Sequence, residues 1–359
     1  MVGLSDPMYA LFERLRRDAD DLFGTRRVEI VPLTFQVRES SEVARARITT
    51  PHGVRHVFAK IFKPRPGEVG PQAAAARLRR DYMVTRRVFE TMKWARDVRS
   101  VEPLACYEDL LGIVTREAPG EPLGLVITKH AAWPTAPSGL EAVDTAVSRT
   151  GRWIAAFQRV LPGPESSQVS LDGIRKYIDI RLQRLTTLQK ASFSEAHRRE
   201  MLAYFDRRAA EVASEDLVEV PVHGDIVPSN IIVAPTSVTV LDFGMTSRGS
   251  KYLDIARLYT QLDFYAAKPQ YRREVIGRLQ AAALASFDPG LSVGDPLFEI
   301  CAVQHVICHL LSHTRQPGPF PSSVYSRHLR RRHRRWLLQR ARSVATRSTT
   351  SQVVASTAE

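Results

Sequence analysis

The chain has 359 residues, 44% of them hydrophobic and 25% charged, and a net charge of +13. That is enough apolar material to bury cores in two lobes or domains, and it excludes a wholly disordered chain. No stretch approaches the roughly eighteen uninterrupted apolar residues of a membrane-spanning helix, and the amino terminus lacks a basic segment followed by an apolar run. The sequence therefore reads as a soluble, cytoplasmic protein. Cys106, Cys301 and Cys308 form no C-x-x-C pair, which argues against a disulfide framework or a zinc site and for buried thiols. The positive charge implies an anionic partner.

In chain order, Pro7 to Phe23 carries Met8, Leu11, Phe12 and Leu15 at helical spacing and reads as an amphipathic helix. Val28 to Val37, Val43 to Thr49 and Val54 to Phe62 are β-rich runs, the last two separated by Pro51-His52-Gly53, and predict an antiparallel meander. After a Pro/Gly-rich loop from Pro64 to Pro71, Ala73 to Lys93 returns to helical spacing. Leu104 to Tyr107 and Leu111 to Thr115 read as a strand pair. Pro119-Gly120-Glu121-Pro122 is the strongest break and marks an interlobe hinge. Beyond it Ala142 to Val160, Ile174 to Leu188, Glu195 to Ala213, Tyr252 to Leu262, Val275 to Phe287 and Leu297 to Ser312 read as helices, with one β-rich island at Val218 to Leu241. The expected division is a nucleotide-binding lobe over 1–118, a catalytic and substrate lobe over 119–342, and an unstructured Ser/Thr-rich tail over 343–359.

The chemistry is concentrated in the island. Val222-His223-Gly224-Asp225-Ile226-Val227-Pro228-Ser229-Asn230 precedes an apolar run, and Val240-Leu241-Asp242-Phe243-Gly244 follows the next one. Phosphoryl transfer needs a carboxylate to orient the acceptor hydroxyl and oxygen ligands to hold Mg²⁺ against the phosphates. An Asp, an Asn five positions on and an Asp in D-F-G supply that set. In Val57-Phe58-Ala59-Lys60-Ile61-Phe62, period-two alternation puts Phe58 and Lys60 on one strand face. An ammonium in so apolar a strand calls for an anionic partner.

H-G-D-x-x-x-x-N followed by an Asp on the next strand resembles the aminoglycoside phosphotransferase and choline kinase family, over roughly Phe35 to Leu262. The resemblance implies an α+β, two-lobed, protein-kinase-like fold with a small antiparallel β-rich N-terminal lobe and a larger, mainly helical C-terminal lobe. MgATP would lie between the lobes, and its γ-phosphoryl group would pass to a hydroxyl of a small molecule such as a sugar, amino alcohol or aminoglycoside-like metabolite. Asp225 would be the catalytic base, Asn230 and Asp242 the Mg²⁺ ligands, and Lys60 the nucleotide-binding lysine. Asp81 is preferred to Glu90 as its helix carboxylate; the family usually has Glu there, and the shorter Asp leaves a direct ion pair open. The hinge positions Arg116 and Ala118 would meet adenine with Phe58 packed on the base, and Asp254 would give structural support. The turn Arg38-Glu39-Ser40-Ser41-Glu42 lacks the glycines of a protein-kinase phosphate loop, so Ser40 and Ser41 are assigned as its donors.

Other readings stand beside these. A pseudokinase acting as a nucleotide-binding scaffold is the alternative to an active enzyme. His223 reads as a structural histidine, and His305, His309 and His313 as a satisfied helical face rather than a metal site. Arg327 to Arg347, rich in arginine and without an acidic residue, reads first as a helix docked through Trp336 and Leu337 and second as a contact for an anionic membrane. A lone basic stretch without interleaved aromatics argues against nucleic acid.

Overall fold

The computed structural model describes residues 3–65, 70–134, 136–161, 167–315 and 322–356. In chain order these form α1 (Asp6–Arg17), α2 (Ala19–Phe23), β1 (Glu29–Val37), β2 (Ser41–Thr50), β3 (Gly53–Phe62), α3 (Pro71–Met92), β4 (Val98–Ser100), β5 (Pro103–Tyr107), β6 (Gly112–Arg116) and β7 (Glu121–Pro122). There follow α4 (Leu123–His130), α5 (Pro137–Phe157), α6 (Leu171–Thr187), α7 (Glu195–Ala210), β8 (Glu219–Val222), β9 (Ile231–Val233), β10 (Val238–Val240), β11 (Ser247–Ser250), α8 (Leu253–Tyr265), α9 (Arg273–Phe287), α10 (Pro296–Arg315) and α11 (Ser322–Ser356).

The chain divides into two compact units. One holds residues up to Ile127 with Arg159–Leu161 and His223–Ser247; the other holds Thr128–Gln158 and the stretches from 162 to Val222 and from Arg248 onward. The boundary read at 118/119 therefore differs from the packing, because the island between His223 and Ser247 belongs with the amino-terminal elements. Strand pairing is the reason: β10 runs parallel to β4 and antiparallel to β9, and β9 pairs with β7. Neither β4 nor β7 is long enough to show a period in the sequence.

In the first unit the meander and the later strand pair form one antiparallel sheet in the order β1-β2-β3-β6-β5. Alternation along β2 and β3 sends Ala44, Ala46, Ile48, Val57, Ala59 and Ile61 into a core with Met8, Leu11, Phe12 and Leu15 of α1. Small residues on the sheet let this helix come close; a Cβ on Gly112 would lie only 2.7 Å from a methyl of Leu11. The helix read as continuous to Phe23 breaks at Asp18, whose N–H still reaches the Arg14 carbonyl. The other sheet face carries Phe62 and Ile113, which pack on Ala74 and Leu78 of α3.

The second unit is mainly helical. Ile178, Leu182, Tyr204, Phe205, Ile307, Leu310 and Leu337 unite α6, α7, α10 and α11 in one core. Here α11 is a docked helix: Leu337 is buried, Trp336 packs on that core, Arg332 pairs with Asp263 at 2.7 Å, and Arg340 pairs with Glu299. The backbone of 343–356 continues this helix, so the unstructured tail expected from 343 is not seen up to Ser356; extending an established helix is far easier than starting one, even through Ser and Thr. Residues 357–359 lie outside the described residues, as does most of the Pro/Gly-rich loop before α3. His309 contacts His333 at 3.1 Å and His313 at 3.2 Å, and His305 reaches the Leu253 carbonyl at 2.8 Å. Among the described residues no group of three or more His, Cys, Asp or Glu side chains is arranged to hold a metal ion, and no helix is long and apolar enough to cross a membrane.

Candidate active site

A cavity of about 390 Å³ opens in the first unit. Phe58 and Lys60 reach it from β3 because they alternate with the core residues Val57, Ala59 and Ile61. Val43 on β2, opposite Lys60 in the register, and Ile113 on β6 add apolar wall. Thr115, Arg116, Glu117, Ala118 and Gly120 line it from β6 and the segment that follows, and Asn230, Ile232, Leu241 and Asp242 come from the island.

Lys60 is the electrostatic centre. Its Nζ lies 2.8 Å from Asp242 Oδ1 and 3.4 Å from Asp81 Oδ2. Burial alone would lower the ammonium's pKa, but the two carboxylates outweigh it and hold the pKa above its ordinary value. Burial likewise works against ionised Asp242, and Lys60 overcomes it, so this carboxyl titrates below the usual range. For Asp81, 3% exposed, burial prevails and its pKa is raised. The direct ion pair that the shorter Asp left open is thus present. Asp81 has further partners: its Oδ1 accepts the Phe243 N–H at 3.0 Å and the Thr85 hydroxyl at 3.2 Å, so α3 holds both the lysine and the D-F-G segment.

The loop before it is built on two constraints. Gly224 has φ 77, and a Cβ there would fall 2.6 Å from the Met245 carbonyl oxygen, so only glycine fits between His223 and Asp225. His223 is fully buried; its Nδ1 accepts the Asp225 N–H at 3.2 Å and its Nε2–H donates to the Leu241 carbonyl at 3.0 Å. It ties the Asp225 loop to the strand entering Asp242, the structural role expected for it. Asn230 Nδ2 donates to both the Asp225 carbonyl and Asp225 Oδ2 at 3.0 Å, which leaves the amide oxygen uncommitted to the Asp225 loop. Asp242 itself has φ 64, a left-handed conformation that Asp tolerates better than most residues.

The segment from Thr115 to Gly120 is held by its own contacts. Gly120, at φ 119, lies so close to Val233 that a Cβ would meet that residue's carbonyl at 2.1 Å. Arg45 grips the Glu117 carboxylate at 3.0 Å, and Arg116 pairs with Glu102 at 2.7 Å. The Arg116 N–H is committed to the Glu102 carbonyl and the Glu117 N–H to the His56 carbonyl, whereas the Ala118 backbone makes no hydrogen bond among the described residues.

Of the residues singled out from sequence, Phe58, Lys60, Asp81, Arg116, Ala118, Asn230 and Asp242 line this cavity, and Asp225 is joined to it through Asn230. Ser40 and Ser41 do not line it: Ser41 is buried, and the Ser40 carbonyl accepts the Lys63 N–H. The same turn contributes Arg38 instead, which is neither a hydroxyl residue nor a glycine and so was not expected there. Thr85, one turn beyond Asp81 on α3, was not expected either; its i, i+4 spacing was the available signal.

A two-unit chain with this sheet, a lysine and helix carboxylate facing a D-F-G aspartate, and an H-G-D loop defines a kinase-like phosphotransferase. The chain belongs to the phosphotransferase enzyme family APH, whose model matches residues 47–297, well over half of its length. Its class is therefore that of the phosphotransferases. Solved structures agree on the fold. Choline kinase from Cryptosporidium parvum Iowa II superposes with TM-score 0.55 at 10% identity, covering 95% of this chain and 97% of that one. The streptomycin-ATP-APH(2")-IIa ternary complex gives 0.52 at 12%, covering 94% and 97%. A thermostable mutant of aminoglycoside phosphotransferase APH(4)-Ia with ADP and hygromycin B gives 0.54 at 16%, covering 89% and 98%. No curated protein sequence matches the chain significantly.

Proposed function

We propose that this protein transfers the γ-phosphoryl group of MgATP to a hydroxyl of a small molecule. The observation that carries the reading is Lys60 held 2.8 Å from Asp242 in a cavity that also receives Asn230, itself hydrogen-bonded to Asp225. The neighbours solved with ATP or ADP support the choice of nucleotide. The adenine base would occupy the apolar part near Phe58, Val43 and Ile232, with Ala118 offering its free backbone groups. Lys60 and Arg38 would meet the phosphates.

The donor set suits Mg²⁺, a hard cation that prefers oxygen: a carboxylate on Asp242 and an amide oxygen on Asn230. The ion would neutralise phosphate charge when bound. Asp225 would accept the proton of the acceptor hydroxyl as that oxygen bonds to the γ-phosphorus; the bond from phosphorus to the β–γ bridging oxygen breaks, and ADP leaves with that electron pair. Because ATP is the donor, the reaction belongs in the cytoplasm. Having every one of these groups in place favours an active enzyme over a pseudokinase.

The test is Mg²⁺-dependent ATP turnover with a panel of amino alcohols, sugars and aminoglycosides. Asp225→Asn should nearly abolish transfer while leaving MgATP affinity close to that of the parent, because the amide keeps the shape but cannot take the proton. Comparable turnover in the two proteins would remove Asp225 from the base role.

A further inference from the structure

The outward side of α3 has no partner in the first unit. Ala74, Leu78, Asp81, Thr85, Val88 and Met92 occupy its buried side. On the opposite side Arg80, Met83 and Arg87 follow one another at helical spacing, and Trp94 comes two residues past the helix end. Met83 is 63% exposed and Trp94 84%, the highest value for a large apolar side chain among the described residues. Arg86 flanks them. No carboxylate of the described residues lies within ion-pair distance of Arg80, Arg86 or Arg87, and the one acid on this side, Glu90, is engaged by Lys93.

We propose that this face docks on an anionic lipid membrane. Two protruding apolar side chains framed by unneutralised arginines match a surface that is negative outside and apolar just beneath. A tryptophan ring suits that boundary, since it is apolar over most of its area and carries one N–H. The side of a helix is convex and by itself gives a peptide little in which to bury side chains, whereas a flat bilayer needs no concavity. Nucleic acid would use the arginines but would gain nothing from Met83. The carboxyl-terminal helix is less suited: Trp336 and Leu337 are packed inward, and Arg332 and Arg340 are neutralised by acids. The inference does not depend on the phosphotransferase reading.

The experiment is co-sedimentation of the full-length protein with vesicles of phosphatidylcholine alone and of phosphatidylcholine mixed with phosphatidylglycerol, at low and high salt. The parent should bind only the anionic vesicles, and less at high salt. Arg80→Glu/Arg87→Glu should weaken binding at least about fivefold per position, and Trp94→Gln or Met83→Gln, which change no charge, should weaken it at unchanged salt slope. All four positions are exposed, so thermal melting should match the parent's and exclude misfolding. Equal sedimentation of parent and variants would overturn the proposal. So would salt-sensitive capture by polyglutamate or duplex DNA with no vesicle binding, which would mark the face as a site for an acidic protein or nucleic acid.

Discussion

Replacing Asp81 tests the most connected contact in the site. Its carboxylate accepts the buried Phe243 N–H at 3.0 Å and sits 3.4 Å from Lys60. In Asp81→Ala the amide loses its partner in a place water cannot reach, at a cost of about 1–3 kcal/mol. Lys60 simultaneously loses one of two counter-charges, and breaking one side of a buried pair costs about 3–5 kcal/mol in all. For a unit of this size about 3 kcal/mol corresponds to a fall in Tm of roughly 6–12 °C. Asp81→Asn keeps an oxygen for Phe243 and removes only the charge, so it should lose about half as much. The assay is differential scanning calorimetry of parent and both variants, followed by MgATP titration. MgATP should bind more weakly to Asp81→Ala, because neither the lysine nor the D-F-G segment is then held from α3. A Tm for Asp81→Ala within about 2 °C of the parent would refute the argument that this carboxylate couples helix, lysine and loop.

Gly224→Ala should cost about 1–2 kcal/mol from backbone conformation alone, and more from the contact with the Met245 carbonyl, with turnover falling further as Asp225 shifts; an unchanged melt would contradict the close approach. Phe58→Ala should weaken ATP about fivefold, corresponding to about 1 kcal/mol, without altering the chemical step, and calorimetric titration beside single-turnover rates separates the two effects. Burial, helped by neighbouring histidines and Arg257, holds His309 at about 2; burial, with His313 and Arg332, holds His333 at about 3, and burial with Arg257 holds His305 at about 3. Unfolding raises these values toward 6.5, so the unfolded chain takes up more protons: stability is full above pH 6.5 and falls as pH drops toward about 3, by up to about 1.4 kcal/mol per histidine per pH unit. Tm measured against pH should show this, and His309→Gln should give a shallower acid slope; an identical slope would remove His309 from the account.

The sequence by itself determined the parts whose physics is local. Period-two alternation is enough to place Lys60 and Phe58 on one strand face, and both line the cavity. The spacing from Asp225 to Asn230 and on to Asp242 was legible because a loop, a short strand and a tight connection leave few ways to arrange three oxygen-bearing side chains. The long helices were legible because their apolar residues repeat at three- and four-residue intervals. What only tertiary structure decided was which distant groups meet. Asp81 reaches Phe243 across more than a hundred residues of sequence, and no local pattern encodes that contact. The two-residue β7 and three-residue β4 exist because β9 and β10 supply their hydrogen bonds, and that pairing is also what moves the H-G-D island into the first unit. Arg38 rather than Ser40 or Ser41 faces the cavity because the turn's direction is set by the register of β1 on β2. The arginine-rich end could not be read from its charges, because its acidic partners Asp263 and Glu299 lie on α8 and α10 and are brought to it only by helix packing.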